Sequence, residues 1–352
     1  MRKILLIRTD RIGDTLLTLP VVKPILEKWP DCRIDFLARN YTYPILKNVK
    51  GLSQILNYDP NGVHQGIRGH QLLASEIQQQ EYDSAILFYP RFGLTFALWN
   101  SGVPQRIGTS HRWYSFLLTD QVYQTRKECL QHEVEYNLDL LEPLIHDLPS
   151  KIPQFRLAIP EKARLEIQGI LTENEIIGKY IVVHPGNGDS APNLNLDQYR
   201  NIIEQISLTG IRVVLTGINK EKKNNHLLKS VCSTKNITDL TGTLSIEQMI
   251  ALLSEACSLI TTSTGPAHVA SAVGTQVTAF YCPAIPHTPN RWGPLENLER
   301  VTTPNLTNSH CQMKQCPYGA HGCLVTCLQD DQISKTLSNL LTKAVANEAN
   351  SK

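Results

Sequence analysis

Short apolar runs of strand length alternate with helix-patterned segments along this chain, and the alternation occurs twice. That pattern points to parallel α/β architecture, because parallel strands need a crossover, usually helical, between them. In the first run KILLIR (3–8), CRIDFLA (32–38), SQILNY (53–58) and DSAILFYP (83–90) read as strands, with helices over 15–29 and 70–82. In the second, KYIVVHPG (179–186), IRVVLTG (211–217), SLITTS (258–263) and QVTAFYC (276–282) read as strands. Helices fall over 196–210, 245–257 and 265–274, with a polar helix after 217. Between the runs PSKIPQFRLAIPEKA (149–163) carries three prolines and no periodicity, and reads as the linker.

A length of 352 residues agrees with two cores rather than one. The expected division is an N-terminal Rossmann-like domain over 1–160 and a second over 161–330. Residues 331–352 form an amphipathic terminal helix expected to pack back on the first domain. The net charge of +2 supplies no polybasic field for nucleic acid, so no nucleic-acid partner is expected. Apolar content of 41% with 19% charged residues is that of a globular protein. The N-terminal apolar run is too short for a signal or a span, and no later run reaches about 18 apolar residues. The expected location is cytoplasmic; peripheral association with the inner face of the cytoplasmic membrane needs no span and is compatible with it. No obligate protein partner is evident.

Ligands of open α/β sheets bind at the carboxyl ends of the strands, here the loops 9–15, 89–93, 184–190, 217–221 and 262–268. In the first of them, IRTDRIGDTLLTLP (7–20), Gly13 permits a close backbone approach or a positive φ. Asp14 then has two readings: a cap or first-turn acid favoured by the helix dipole, or a general base. A free aspartate has a pKa of about 3.9, and neighbouring arginines and a helix N-terminus lower it further. A group so placed cannot serve as an acid. It can take a proton from a hydroxyl that turns acidic late in the transition state.

In the second half, ITTSTGPAHVASAVG (260–274) is a strand, a small-residue turn and a helix. Ser263 and Thr264 can cap, Gly265 lets a ligand approach the backbone, and Pro266 suits the first turn. This turn and the glycine-rich loop of Gly186, Asn187 and Gly188 together fit a diphosphate, although any α/β protein has strand–helix turns. His268 reads equally as a core histidine or a phosphate donor.

The string IRTDRIGDTLLTLPVVKPILEKWPDCRIDFL resembles the N-terminal signature of glycosyltransferase family nine, the lipopolysaccharide heptosyltransferases: a strand, R-x-D-x-x-G-D, then an L-T-x-P helix. RIGTSHRWYSFLLTD, HEVEYNLDLLEPL (132–144), VVHPGNG, VVLTG with Glu221 beyond it, and DLTGTLSIEQMIALLSEACSLITTSTGPAHVASAVGTQVTAFYCP follow in the family's order, over about residues 1–330. The resemblance implies a GT-B fold, two Rossmann-like domains facing across a cleft. It also implies inverting, metal-independent transfer of a sugar from a nucleotide-sugar donor, ADP-heptose in the known heptosyltransferases. The acceptor, a saccharide or glycolipid of the lipopolysaccharide core, then lies against the N-terminal domain and the donor against the C-terminal one. The family's base maps onto Asp14. Donor contacts map onto Gly186, Asn187, Gly188, Glu221, Ser263, Thr264, Gly265 and His268. No cofactor beyond the donor is implied.

The chain departs from the family pattern twice. Ser263 stands where the family has aspartate in D-[ST]-G-P-x-H, and APNLNLDQY (191–199) lacks the lysine that reaches a donor phosphate. The leaving group then relies on N–H groups, His268 and Arg291 or Lys220. On the acceptor side Arg8, Arg11, Arg91, Arg106, His111 and Arg112 fall in N-terminal loops, and with Gly13 the residues Arg11, Arg91 and Arg112 are the candidates for acceptor binding.

Nine cysteines in a cytoplasmic chain argue against a disulfide scaffold. Cys311, Cys316, Cys323 and Cys327, with His310 just before them and His321 among them, are spaced too tightly for a zinc ribbon. No metal is assigned to them. Two further functions fit the two-domain pattern: a nucleotide-sugar epimerase, which needs more acid–base groups than Asp14, and a nucleotide-sugar-binding protein with little turnover.

Overall fold

The computed structural model describes residues 1–188, 191–233, 236–304 and 327–349. The first sheet contains β1 (Lys3–Ile7), β2 (Arg33–Ala38), β3 (Gln54–Asn57), β4 (Ser84–Leu87), β5 (Gln105–Thr109) and β6 (Asp120–Val122). Its order is β3-β2-β1-β4-β5-β6, and every pairing is parallel. The second contains β7 (Tyr180–His184), β8 (Arg212–Leu215), β9 (Ile237–Asp239), β10 (Ser258–Thr262), β11 (Val277–Phe280) and β12 (Val301–Thr302), in the order β12-β11-β10-β7-β8-β9. Counted from its own first strand, the second sheet has the same winding as the first, the Rossmann order.

Central strands are covered on both faces, so they are buried throughout rather than alternating in exposure. Ile4 to Ile7 in β1 and all of β7 and β10 are buried. Strands β5, β6, β9 and β12 escape the sequence reading because they are short, polar or at the sheet margin (QRIGT, DQV, ITD, VT). The helix expected over 15–29 is two helices, Ile12–Thr18 and Val22–Lys28, joined by a 3₁₀ turn at Leu19–Val21. Pro20 has no N–H to continue the ladder, which accounts for the break.

The chain divides into two compact units, Met1–Arg126 with Leu130–Leu157, and Lys127–Cys129 with Ala158–Lys352. Each has its own core. In the first, Leu5, Ile7, Leu73, Ile77, Leu94 and Leu98 pack between sheet and helices; in the second, Ile181, Val183, Ile202, Ile206, Val213 and Leu215 do so. The terminal helix Asp330–Ala349 contributes Ile333, Leu337 and Leu340, at i, i+4 and i+7, to the C-terminal core. Gln205 Nε2 donates to Ser334 Oγ at 2.9 Å from the helix Leu196–Ser207. Among the described residues no helix is long and apolar enough to cross a membrane.

Candidate active site

In both sheets the first and fourth strands of the winding lie side by side, β1 with β4 and β7 with β10. Connections leave these pairs in opposite directions, which opens a crevice at their carboxyl ends. The candidate residues cluster at these two places, one in each unit.

At the end of β1 the side chain of Arg8 is buried and ringed by carboxylates. Its Nε donates to Asp10 Oδ1 at 2.7 Å, one terminal nitrogen to Asp14 Oδ1 at 2.7 Å, and the other to Glu133 Oε1 at 3.2 Å and Asn137 Oδ1 at 3.3 Å. Arg126 reaches the same Glu133 oxygen and also donates to Asn137 Oδ1 at 3.3 Å. Asn137 Nδ2 in turn donates to Leu17 O at 3.0 Å, tying the helix Glu133–Asp139 to the helix that carries Asp14. His132 and Glu135 form a capping box that fixes where that second helix begins. Three carboxylates therefore share two guanidinium groups. Burial works against the charge of Arg8, but its carboxylates outweigh burial and hold its pKa above the ordinary arginine value.

Asp14 is the third residue of the helix Ile12–Thr18, whose N-cap is Arg11, so of the two local readings it is the first-turn acid and not the cap. It differs from expectation in one way: its pKa is raised to about 6, not lowered. Burial is the largest cause, and the negative charges of Asp10 and Glu133 add to it against the opposing pull of Arg8. A carboxylate in that range is still ionised at neutral pH and is a far better proton acceptor than a free aspartate. Gly13 lies within the same helix and does not have a positive φ.

The acceptor-side candidates divide. Arg11, Arg91 and Arg112 are exposed at the strand-end side of the first unit, with the Arg91 guanidinium 4.6 Å from the Tyr89 ring centre. Arg8 belongs to the carboxylate network just described. Arg106 donates to Leu117 O at 3.0 Å and Val103 O at 2.6 Å, and the His111 ring bonds Gln124 O. These three hold the fold together rather than facing a ligand.

In the second unit Glu221 is held where the loops after β7 and β8 meet. Its Oε2 accepts the Ile218 N–H at 2.8 Å. A Cβ on Gly186 would lie 1.9 Å from its carboxyl carbon, and one on Gly217 2.8 Å from Oε2. Both glycines are therefore required for the carboxylate to sit there. Gly188 has φ +56, a conformation glycine adopts without strain, and Asn187 Nδ2 donates to Ala191 O at 2.6 Å.

Beyond β10, Thr264 is the N-cap of the helix Gly265–Val273 without a side-chain capping bond; its hydroxyl pairs with that of Thr261 at 3.1 Å. Ser263 is half-buried and shares a hydrogen bond with the Tyr281 phenol. His268 is buried on the first turn. Asn193, in the lysine-free segment, is occupied by the fold. Its Nδ2 donates to Pro185 O at 2.7 Å, and its Oδ1 accepts from Tyr199 at 2.9 Å and Thr262 at 3.0 Å. Lys220 is exposed, and the Arg291 guanidinium lies 4.5 Å from the Trp292 ring centre. His184 is kept neutral at physiological pH, its pKa lowered to about 4 by burial. The cysteine cluster lies outside the described residues except for Cys327.

Sequence reasoning did not single out Asp10, Arg126, Glu133 or Asn137. The segment HEVEYNLDLLEPL contains the last two, and its place in the family order is the only signal that could have found them.

Two Rossmann-wound units, each with its candidate residues at the sheet's switch point, define a GT-B fold. Comparison with known proteins gives the same answer. The model of glycosyltransferase family 9 (heptosyltransferase) matches residues 71–321, and the chain belongs to that family. Lipopolysaccharide heptosyltransferase 3 of Escherichia coli K12 is 25% identical over 283 residues, 76% of this chain and 79% of the relative. The family 9 glycosyl transferase of Veillonella parvula superposes with a TM-score of 0.82 at 19% identity over 97% of both chains. ADP-heptose lipopolysaccharide heptosyltransferase II of E. coli superposes with a TM-score of 0.77 at 19% identity, over 97% of this chain and 99% of that one. The protein is a glycosyltransferase of the heptosyltransferase kind.

Proposed function

We propose that this glycosyltransferase moves heptose from ADP-heptose to a hydroxyl of a saccharide or lipopolysaccharide-core acceptor, with inversion and with Asp14 as general base. The observation that carries the reading is the Asp14 carboxylate itself: ionised at neutral pH, raised to about 6, and fixed by a 2.7 Å bond from Arg8 to one oxygen. Its second oxygen takes the acceptor proton as the acceptor oxygen bonds to the anomeric carbon. The bond from that carbon to the diphosphate breaks in the same displacement, and the electron pair leaves with the nucleotide. A single displacement inverts the centre.

On the donor side, Glu221 accepts hydrogen bonds from ribose hydroxyls, as acids near the end of a Rossmann strand do. The diphosphate lies against the Gly186–Gly188 loop and the N-terminal end of the helix Gly265–Val273, with Thr264 and His268 beside it. These dipoles and N–H groups supply the leaving-group stabilisation. Arg11, three residues before Asp14, meets anionic groups of the acceptor.

Asp14→Asn tests the reading. Transfer should fall by about 10²–10⁴-fold, while ADP-heptose binding, measured by calorimetry, stays within about twofold. Transfer at the wild-type rate by Asp14→Asn would remove Asp14 as the base. A second reading, a nucleotide-sugar-binding protein with little turnover, is favoured by Asn193, which replaces a cation with a side chain already committed to the fold. Slow hydrolysis of ADP-heptose without acceptor separates the two, and an isomerised but unbroken sugar would instead identify an epimerase.

A further inference from the structure

The first unit exposes an aromatic surface that neither the fold nor the proposed reaction uses. Along the helix Phe92–Asn100, Phe92, Phe96 and Trp99 stand at i, i+4 and i+7, one face running about 10 Å along the axis. Ring centres are 6.1 Å apart for Phe92 and Phe96, and 5.9 Å for Phe96 and Trp99. Trp113, from the loop after β5, stacks on Phe92 at 5.3 Å, and Phe116 follows it three residues later. The row is not core. Trp113 is 74% exposed, Phe116 68%, Trp99 46% and Phe92 43%. Contiguous exposed aromatics of this kind mark a surface that is covered by something else.

Charge indicates what covers it. Between Asp83 and Asp120 the chain has no acidic residue, and it contributes Arg91 immediately before the aromatic helix and Arg112 immediately before Trp113. Both arginines are exposed. The third arginine of the stretch, Arg106, is spent on backbone carbonyls and does not count. Trp and Phe rings flanked by guanidinium groups match the layered chemistry of an anionic bilayer, with apolar rings at the acyl boundary and cations at the phosphates.

We propose that the first unit docks on an anionic lipid surface through Phe92, Phe96, Trp99, Trp113 and Phe116, with Arg91 and Arg112 on the lipid phosphates. The inference goes beyond the reaction proposed above and stands whatever sugar is transferred. It applies to the bilayer itself and not to a soluble phosphorylated saccharide.

The test is co-sedimentation of the full chain with vesicles of phosphatidylcholine alone, or of phosphatidylcholine and phosphatidylglycerol in equal parts. The wild type should pellet with the anionic vesicles, and raised salt should weaken binding. Trp99→Ser/Trp113→Ser/Phe116→Ser should lose at least about tenfold in partitioning. Each of Arg91→Gln and Arg112→Gln should lose about fivefold. The three aromatic positions are exposed, so circular dichroism of the triple variant should match the wild type, and transfer to a soluble acceptor should be retained. Quenching of wild-type tryptophan fluorescence by brominated phosphatidylglycerol gives a reading that needs no variant. Absence of pelleting, absence of quenching, or pelleting unchanged in the triple variant each overturns the proposal. So does a concentration-dependent dimer that the triple variant abolishes, since the surface would then be covered by a second copy. Loss of transfer by Asp14→Asn leaves vesicle binding untouched, so the two readings fail separately.

Discussion

Asp14 has a pKa near 6 while touching a guanidinium, because burial removes water from the carboxylate and because Arg8 is shared with Asp10 and Glu133. Two outcomes follow. The base must be ionised, so the transfer rate should be level above about pH 7 and fall about tenfold per unit below 6, with kcat/KM as the measurement. The stability effect has the opposite sign. A carboxyl whose folded pKa lies above its unfolded value contributes stability at low pH that is lost as pH rises through about 6. Asp14→Asn should therefore be more stable than the wild type at pH 7.5 by up to about 2 kcal/mol in urea unfolding, with the difference closing toward pH 4. Glu133→Gln takes one negative charge from the group and should move the acidic limb of the rate profile downward. It also leaves the buried ends of Arg8 and Arg126 short of a partner, so a loss of about 3 kcal/mol should accompany it. The raised value could not be read from sequence. The string R-x-D-x-x-G-D shows the arginines that lower a pKa, but burial and the Glu133 charge come from a helix more than a hundred residues later.

Strand-end loops carry the donor candidates, and one glycine there separates site from stability. A Cβ on Gly186 would meet only the far end of the Glu221 side chain, which can swing away. Gly186→Ala should accordingly leave the unfolding midpoint nearly unchanged and raise the donor KM about tenfold, the loss of a hydrogen bond to a charged group. The terminal helix makes the opposite case. Leu337→Ala touches no candidate residue and should cost about 2–5 kcal/mol, read by chemical denaturation, through the cavity it leaves. Elements were legible where their own composition is strand-like or helix-like. Strands β1 and β7 announce themselves by the apolar runs Ile4 to Ile7 and Tyr180 to Val183, whereas β6 and β12 have two or three residues each and are held in place by a neighbouring strand rather than by their own composition. The core that takes up the terminal helix could not be read for a related reason: an i, i+4, i+7 stripe states that a face is buried but not against what.

The molecule consists of one winding used twice, and each copy has a complete sheet and a separate core. The chain passes between its two compact units at Leu157 and Ala158, within the proline-bearing, aperiodic segment 149–163. Specialisation was readable only where a loop has a distinctive string. The first copy places carboxylates and guanidinium groups at its switch point, the second places glycines, hydroxyls and one glutamate. The aromatic row of the first unit went unread because a helix rich in Phe, Leu and Trp looks like core until its exposure is known.

The burial of Ile333, Leu337 and Leu340 sets a schedule for synthesis. The first copy has all the residues of its core once the ribosome has passed 157, and domains fold as units in the order they emerge. The second must wait for residue 340, so its core stays incomplete while well over a hundred residues are added after the helix Leu196–Ser207. During that interval the nascent C-terminal half leaves part of its apolar core open to solvent, and it is the half that chaperones should be found holding.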